Sequence, residues 1–253
     1  MAESQPIPPA KASPTPRYSL RRRIKWGAYH LLRWIVRVVG FVLVGFRVYG
    51  QRNIPRTGPL IVVANHLHNF DLIALDAAIP RPVFYMAKQE LFERPFSAFI
   101  FRTGGGFPVK RGAIDRAALR HAGVLLDEGL AVGILPEGTR SLTRSLQLGS
   151  PGVALIAQGR DVPIVPVAVT GTERLPFDAK AQPERWWGGR TTVLIGKPFT
   201  LPKPRPGERA DLHGATERIM LEIAALLPPE YRGVYAERLV ARRDELTNRP
   251  GAS

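Results

Sequence analysis

The sequence predicts an α/β protein with a mostly parallel central sheet flanked by helices. Short apolar runs rich in Val and Ile are typical of buried strands, and the clearest are LIVVAN at 60–65 and VPIVPVAVTG at 162–171. Stretches with helical spacing of apolar residues separate these runs, as at 113–129 and 152–160. Strands that alternate with helices favour parallel pairing, because each helix carries the chain back to the edge where the previous strand began.

Composition and pattern divide the chain into four segments. Residues 1–16 are rich in Pro, Ser and Ala, which predicts a disordered tail. Residues 17–46 combine a basic cluster with a mostly apolar stretch, which predicts an amphipathic helix or a pair of helices. The alternating strands and helices occupy residues 47–205, and an amphipathic pattern at 210–228 predicts that residues 206–253 form a helical extension.

Positive charge is concentrated near the N-terminus. The net charge is +15, and residues 1–57 hold eleven Lys and Arg residues against one acid, Glu3, which gives a local charge of +10. Such an asymmetry indicates that one end of the molecule meets an anionic surface, either a membrane or a nucleic acid. The sequence has no recognisable nucleic-acid-binding motif, so we expect a membrane partner and no nucleic acid.

Residues 17–46 are predicted to lie on a membrane surface without crossing it. Arg33 and Arg37 interrupt the apolar stretch, and an Arg at the centre of a spanning helix costs about 2.5–3.5 kcal/mol. An interfacial helix avoids this cost and suits the aromatic residues of the segment, Trp26, Tyr29 and Trp34. The alternative is an amphipathic helix that covers the protein core.

The stretch NHLHNFD at 65–71 is the first candidate site. His66 follows a predicted buried strand, and ligands of α/β proteins bind outside the carboxyl ends of strands. Asp71 falls in the first turn of a helix predicted at 70–79, with Asn69 as its N-cap. If the chain turns between strand and helix, the Asp71 carboxylate can bind one imidazole nitrogen of His66 and leave the other as a general base.

Two other interpretations of this stretch stay open on these residues alone. One is a polar surface turn. The other is a metal site, because His66 and His68 would lie on one face of an extended segment, with Asp71 nearby. No further cluster of metal ligands is visible in the sequence. The absence of Cys makes a zinc site less favoured and excludes thiol catalysis.

Two further stretches suit an anionic ligand. GGGFPVKRG at 104–112 offers glycine amides followed by two cations, a combination that binds phosphate groups. LPEGTRS at 135–141 follows another predicted strand and gathers charged and hydroxyl side chains around a glycine: Glu137, Gly138, Thr139 and Arg140.

Together these stretches resemble the glycerolipid acyltransferase family, particularly the 1-acylglycerol-3-phosphate acyltransferases. The resemblance covers residues 47–200, which makes 47–205 the expected acyltransferase catalytic domain. Four family blocks occur in the family's order: Asn65, His66 and Asp71; GFPVKR ending at Arg111; PEGTRS at 136–141; and VPIVP at 162–166 with Pro163. The chain departs from the family in having His68 where Ser is frequent and LGSPG, with Ser150, where a Lys is frequent.

The resemblance implies acyl transfer from a thioester, either acyl-CoA or acyl carrier protein, to the free hydroxyl of a lysophospholipid. The default acceptor is 1-acylglycerol-3-phosphate, which would give phosphatidic acid; the alternative is another lysolipid or an acyl-amino-acid lipid. His66 would act as the general base and Asp71 would orient it, with no cofactor and no metal. The enzyme would lie on the cytoplasmic face of the cell membrane, where thioester donors are found.

The family blocks also imply which residues contact the substrates. Asn65 is expected to bind substrate, and those expected to bind the phosphate-bearing acceptor are Arg111, Glu137, Gly138, Thr139 and Arg140. Pro163 is expected to help shape the acyl-binding region. A metal-dependent hydrolase with His66, His68 and Asp71 as ligands is the alternative from another class, and the sequence predicts no oligomeric state.

Overall fold

A computed structural model of the chain describes residues 45–103, 105–110, 115–158, 160–175, 190–203 and 208–247. It also describes five helical residues nearer the N-terminus, namely Leu31, Trp34, Ile35, Val38 and Val39. The tail predicted at 1–16 and the basic cluster that follows it lie outside the described residues, as does Arg111.

The described strands form one sheet of seven. Their bounds are β1 Arg47–Tyr49, β2 Leu60–Ala64, β3 Val83–Lys88, β4 Phe107–Val109, β5 Ala131–Ile134, β6 Ile164–Thr170 and β7 Thr192–Ile195, and their order across the sheet is β1-β7-β6-β2-β5-β3-β4. The five strands from β4 to β6 are parallel to one another. β7 pairs antiparallel with β6, and β1 pairs parallel with β7. The predicted α/β class with a mostly parallel sheet is therefore confirmed.

Helices connect the strands and cover both faces of the sheet. The described helices that follow β1 are α1 Asp71–Ala78, α2 Pro95–Thr103, α3 Arg116–Asp127, α4 Gly152–Gln158, α5 Leu212–Leu226 and α6 Ala236–Thr247. Carboxylates cap two of them: Asp115 accepts the N–H groups of Ala117 and Ala118, and Asp211 accepts that of Gly214. The patterns quoted above predicted β2, β5, β6, α1, α3, α4 and α5.

The central strand β2 is buried on both faces. Leu60, Val62 and Ala64 face one hydrophobic cluster that includes residues of α1. Ile61 and Val63 face a second cluster built by α3, α4 and α5. Each of these five side chains is at most 1% exposed, and burying one of the larger ones stabilises the fold by about 1.5–3 kcal/mol. Packing on both faces fixes the end of β2 and therefore the residues that follow it.

The predicted C-terminal extension is part of the same core. Ile219, Met220 and Ile223 of α5 are at most 1% exposed and pack in the cluster that contains Ile61 and Val63. α5 begins at Leu212 and α6 ends at Thr247, both within the segment predicted to be helical. The final six residues lie outside the described chain.

The described part of the N-terminal segment is helical, and its apolar side chains are exposed. The exposed fractions are 60% for Leu31, 63% for Trp34, 43% for Ile35, 41% for Val38 and 47% for Val39. Among the described residues, no helix is both long enough and apolar enough to cross a membrane. The membrane-associated helix thus stays a prediction.

Candidate active site

Three chain segments meet at one edge of the sheet. β2 lies between β5 and β6 and is parallel to both. The segments that leave the carboxyl ends of these strands therefore emerge side by side, at the edge where α/β proteins bind ligands. They are 65–71 in the middle, 135–141 on the side of β5, and 171–174 on the side of β6.

Asn65 fastens the end of β2 to β6. Its side-chain amide donates to the Val169 carbonyl at 2.8 Å, and its side-chain oxygen accepts the Val169 N–H at 2.8 Å. The side chain thereby continues the strand pairing beyond the last residue of β2, and it is 1% exposed. The expectation that Asn65 contacts the substrate is corrected here, because its polar atoms are engaged by backbone in the protein interior.

His66 and Asp71 form the predicted pair. Nδ1 of His66 lies 2.9 Å from Oδ2 of Asp71, and the two residues are 6% and 0% exposed. The chain turns between them as the spacing required, with Asp71 as the first residue of α1. The predicted N-cap, Asn69, is wrong: the helix is preceded by Phe70, and the Asp71 N–H donates to the His68 carbonyl at 3.1 Å.

The Asp71 carboxylate collects further donors. Oδ2 also accepts the N–H groups of Leu67 at 2.6 Å and His68 at 2.8 Å. Oδ1 accepts the hydroxyl of Thr172 at 2.5 Å. Hydrogen bonds to a charged group stabilise by about 1.5–3 kcal/mol each, and the N-terminal end of α1 favours a carboxylate further. The turn from 66 to 71 is thus built around this one side chain.

Glu137 holds His66 from the opposite side. It is 8% exposed, and its two oxygens accept the N–H groups of His66 at 2.7 Å and Gln147 at 2.9 Å. The N–H of Ser141 donates to the His66 carbonyl at 2.8 Å. This buried carboxylate thereby positions the loop of His66, and its expected contact with the acceptor stays a prediction.

Burial raises the pKa of Glu137 to about 7, although its two backbone donors, the N–H groups of Gln147 and His66, act to lower it. The loss of water around the carboxylate is the larger effect, as expected for an acid with little solvent contact.

His68 is directed into the protein. It is 1% exposed, its Nδ1 accepts the Phe70 N–H at 3.2 Å, and its ring stacks on that of Phe70 with centroids 5.6 Å apart. Burial lowers the pKa of His68. The negative charge of Asp71 acts to raise this pKa, and the positive charge of Arg140 acts to lower it. His68 is thus a neutral, structural imidazole at neutral pH.

The metal-ligand set left open by the sequence is not assembled. Within the described ranges, no three His, Cys, Asp or Glu side chains are grouped so that they could hold a metal ion. Nδ1 of His66 is engaged by Asp71, and Nδ1 of His68 by the backbone of Phe70.

The turn after β5 presents its other predicted residues toward solvent. Gly138 has a φ of 66° and is exposed, as is Thr139. Arg140 is half-buried, and it lies close enough to His68 to influence its titration. Gly138 and Thr139 are therefore accessible from solvent, and Arg140 lies near His68 at the same edge of the sheet.

The structure does not bring Pro163 to this group. It precedes β6, and its carbonyl accepts the N–H of Ile61 at 3.0 Å near the start of β2. Since five residues of extended chain separate Ile61 from His66, Pro163 lies about 16 Å away along the strand direction. Pro163 therefore lies at the amino edge of the sheet, and its expected part in the acyl-binding region stays a prediction.

Sequence reasoning missed Thr172, Gln147 and Ser141 as residues that hold the site. Thr172 had one available signal, since it follows the end of a predicted strand as His66 does. Gln147 contributes only its backbone N–H, and Ser141 was quoted within a block without a role of its own. A backbone N–H is present on every residue except proline, so the residue type does not reveal which one will act as a donor.

An imidazole bound through Nδ1 to a buried carboxylate, at the ligand-binding edge of a parallel sheet, can accept a proton from a hydroxyl through its other nitrogen. A sequence model of a family described as Acyltransferase matches residues 45–170.

Relatives with assigned names are acyltransferases too. The 1-acyl-sn-glycerol-3-phosphate acyltransferase of Bacillus subtilis is 32% identical over 156 residues, 61% of this chain and 74% of the relative. The enzyme of the same name from Saccharomyces cerevisiae is 30% identical over 204 residues, 73% of this chain and 64% of the relative.

A solved structure shares the fold. The 1-acyl-sn-glycerophosphate (LPA) acyltransferase PlsC from Thermotoga maritima superposes with a TM-score of 0.61 at 22% identity, over 92% of this chain and 86% of that one. The chain belongs to the glycerolipid acyltransferase family. It is an acyltransferase of phospholipid biosynthesis.

Glu137→Gln is expected to make the stability of the fold less dependent on pH. The pKa of Glu137 is about 7 in the folded protein against an ordinary 4.5, so the folded state retains a proton that the unfolded chain releases. Stability from this group is full below pH 4.5 and is lost as the pH rises through 7, by up to about 3 kcal/mol.

Urea unfolding of wild type and variant between pH 4 and about 8 measures this effect. The unfolding free energy of Glu137→Gln minus that of wild type should increase as the pH rises. The exposed Glu128, substituted in the same way, is the control and should show no such trend. A difference for Glu137→Gln that does not change with pH would contradict the assignment.

Proposed function

We propose that this enzyme transfers an acyl group from a thioester to the free hydroxyl of 1-acylglycerol-3-phosphate, giving phosphatidic acid. The observation that carries the proposal is the His66–Asp71 pair at the carboxyl edge of β2. The names of the relatives support the acceptor, since both are 1-acyl-sn-glycerol-3-phosphate acyltransferases.

The pair supplies the proton transfer that the reaction requires. With Nδ1–H of His66 donated to Asp71, the lone pair on Nε2 is available for the acceptor hydroxyl. As the hydroxyl oxygen attacks the thioester carbon, its proton passes to Nε2, and the Asp71 carboxylate stabilises the imidazolium. The C–S bond then breaks, and the thiol leaves with the proton returned from Nε2. Thus the enzyme itself is never acylated.

The donor is proposed to be acyl-CoA or acyl carrier protein. Both present the acyl group as a thioester, whose carbonyl carbon is open to attack by a hydroxyl activated in this way. No cofactor or metal ion takes part in the proposed steps. Assay of the purified protein with each donor against a panel of lysolipids would distinguish the two and define the headgroup.

The phosphate of the acceptor is proposed to bind Arg140. This guanidinium lies at the same edge as His66, beside the exposed turn of Gly138 and Thr139, and Arg binds phosphate through paired charge-assisted hydrogen bonds. Arg111 is proposed as a second ligand, because it follows β4 and the carboxyl end of β4 lies on this edge too.

The enzyme is proposed to lie on the cytoplasmic face of the cell membrane, where its acceptor resides. The exposed apolar residues of the N-terminal helix recur at spacings of three and four, which places them on one face: Leu31, Trp34, Ile35, Val38 and Val39. An apolar face beside a strongly basic segment is typical of an interfacial helix. Each basic residue near an anionic surface contributes roughly 1 kcal/mol to binding.

His66→Ala is expected to lower kcat by about 10²–10⁴-fold, because it removes the general base. His68→Asn is the matched control: its amide oxygen can still accept the Phe70 N–H, so most activity should remain. Steady-state assays with lysophosphatidate and acyl-CoA, with and without a chelator, make the comparison. Full activity in His66→Ala, an equal loss in His68→Asn, or inhibition by the chelator would each contradict the mechanism.

Arg140→Ala is expected to raise the KM for lysophosphatidate by about 10- to 150-fold, since a charge-assisted bond contributes about 1.5–3 kcal/mol. The KM for the thioester should stay unchanged, and Arg111→Ala should behave alike. The control is Arg52→Ala: Arg52 is exposed and follows β1, which runs opposite to β2 and so ends at the other edge. An increase in the thioester KM instead would show that these arginines bind the donor.

Replacing Trp34 and Val38 by Ser is expected to weaken binding to vesicles that contain anionic lipid, because it removes apolar surface from the proposed interface. Val240→Ser is the control, since Val240 is 57% exposed on α6 and outside that interface. Substitution of Arg21, Arg22, Arg23 and Lys25 by Gln should weaken binding and reduce its dependence on salt. Co-sedimentation with vesicles measures the binding of wild type and of these three variants. Equal binding by all four proteins would rule the interface out.

A further inference from the structure

We infer that Thr172 is a positioning residue that fixes the plane of the Asp71 carboxylate, and through it the orientation of the His66 ring. This inference rests on the proposed function of the pair. The observation behind it is the division of donors between the two carboxylate oxygens. Oδ2 accepts from His66, Leu67 and His68, whereas among the described residues Thr172 is the donor to Oδ1.

The three donors to Oδ2 all belong to the turn that Asp71 itself closes. They lie three to five positions before it in the chain, so they move with the turn and converge on a single atom. Bonds to a single oxygen leave the carboxylate able to rotate about its terminal torsion, which is intrinsically broad. A donor to the second oxygen removes that freedom.

Thr172 supplies this donor from a separate part of the fold. It lies 101 positions from Asp71 in the chain, in the short helical turn Thr172–Arg174 that follows β6, and its hydroxyl is 2.5 Å from Oδ1. The side chain is 0% exposed, so water does not substitute for the hydroxyl. Its β-branched side chain also has few available rotamers.

The turn that carries Thr172 is fixed by its neighbours. Gly171 has a φ of 85°, and a Cβ there would lie 2.2 Å from the Arg190 carbonyl oxygen, so only glycine suits this close approach. Glu173 is 6% exposed and accepts the hydroxyl of Tyr231 at 2.7 Å. Tyr231 also accepts the N–H of Leu146 on its carbonyl at 2.9 Å. The C-terminal region thereby anchors the donor of Asp71.

Thr172→Val tests the inference, because Val keeps the shape of the side chain and replaces the hydroxyl by a methyl group. We expect kcat to fall about 10- to 100-fold, since small misplacements of a catalytic group cause losses of this size. The KM values for both substrates should change less than about threefold, because the hydroxyl touches neither. Thr172→Ser restores a donor and should recover kcat to within about threefold of wild type.

A proton NMR measurement gives a second readout that does not need turnover. The Nδ1–H proton of His66 should resonate far downfield, and its assignment follows from its loss in Asp71→Asn. The inference expects this resonance to shift in Thr172→Val and to stay near the wild-type position in Thr172→Ser. Unchanged kcat and an unchanged resonance in Thr172→Val would overturn it, as would equal losses in the Val and Ser variants.

Failure of the proposed function looks different. If wild type transfers no acyl group to any lysolipid while the resonance still shifts only in Thr172→Val, the positioning role stands and the assigned reaction does not. If wild type is active and Thr172→Val loses kcat with neither a resonance shift nor rescue by Ser, the reaction stands and the positioning role is overturned.

Discussion

The buried carboxylate of Asp71 is the interaction on which the site depends. A charged group taken out of water is costly unless hydrogen bonds replace its solvent. Asp71 therefore needs the donors it has, and each constrains a different part of the chain: His66 at the end of β2, the backbone that leads into α1, and Thr172 after β6. Satisfying one side chain thus fixes where a strand ends, where a helix begins and how an imidazole is oriented.

A second buried carboxylate completes the arrangement from the side of β5. Asp71 binds the ring of His66, whereas Glu137 binds its backbone N–H and Ser141 its carbonyl. The ring and the backbone of His66 are therefore held by different segments, which meet because β5 and β6 flank β2. The block PEGTRS has two parts: Glu137 is buried and holds the backbone of His66, whereas Gly138 and Thr139 are exposed and Arg140 is half-buried.

The sequence predicted the features that depend on nearby residues and missed those that depend on strand order. Apolar patterns located most strands and helices. The spacing from His66 to Asp71 allowed their contact if the chain turned between strand and helix, and the family resemblance favoured that contact over a surface turn or a metal site. Asn65 and Glu137 were expected to contact substrate because they lie in blocks shared with the family, and only the pairing of strands shows that backbone groups engage them. Pro163 precedes β6, which is parallel to β2. The direction of β6 alone would therefore have placed Pro163 at the edge of the sheet opposite to His66.

The central claim is that His66 and Asp71 act as one catalytic unit, and a double-mutant cycle tests it most directly. Turnover would be measured for His66→Ala, Asp71→Asn and the double variant, with folding checked for each by thermal unfolding. Residues that act as a unit show strongly non-additive losses. We predict that the double variant is no slower than the slower single variant. Losses that multiply in the double variant would mean that the two residues act independently and would contradict the account.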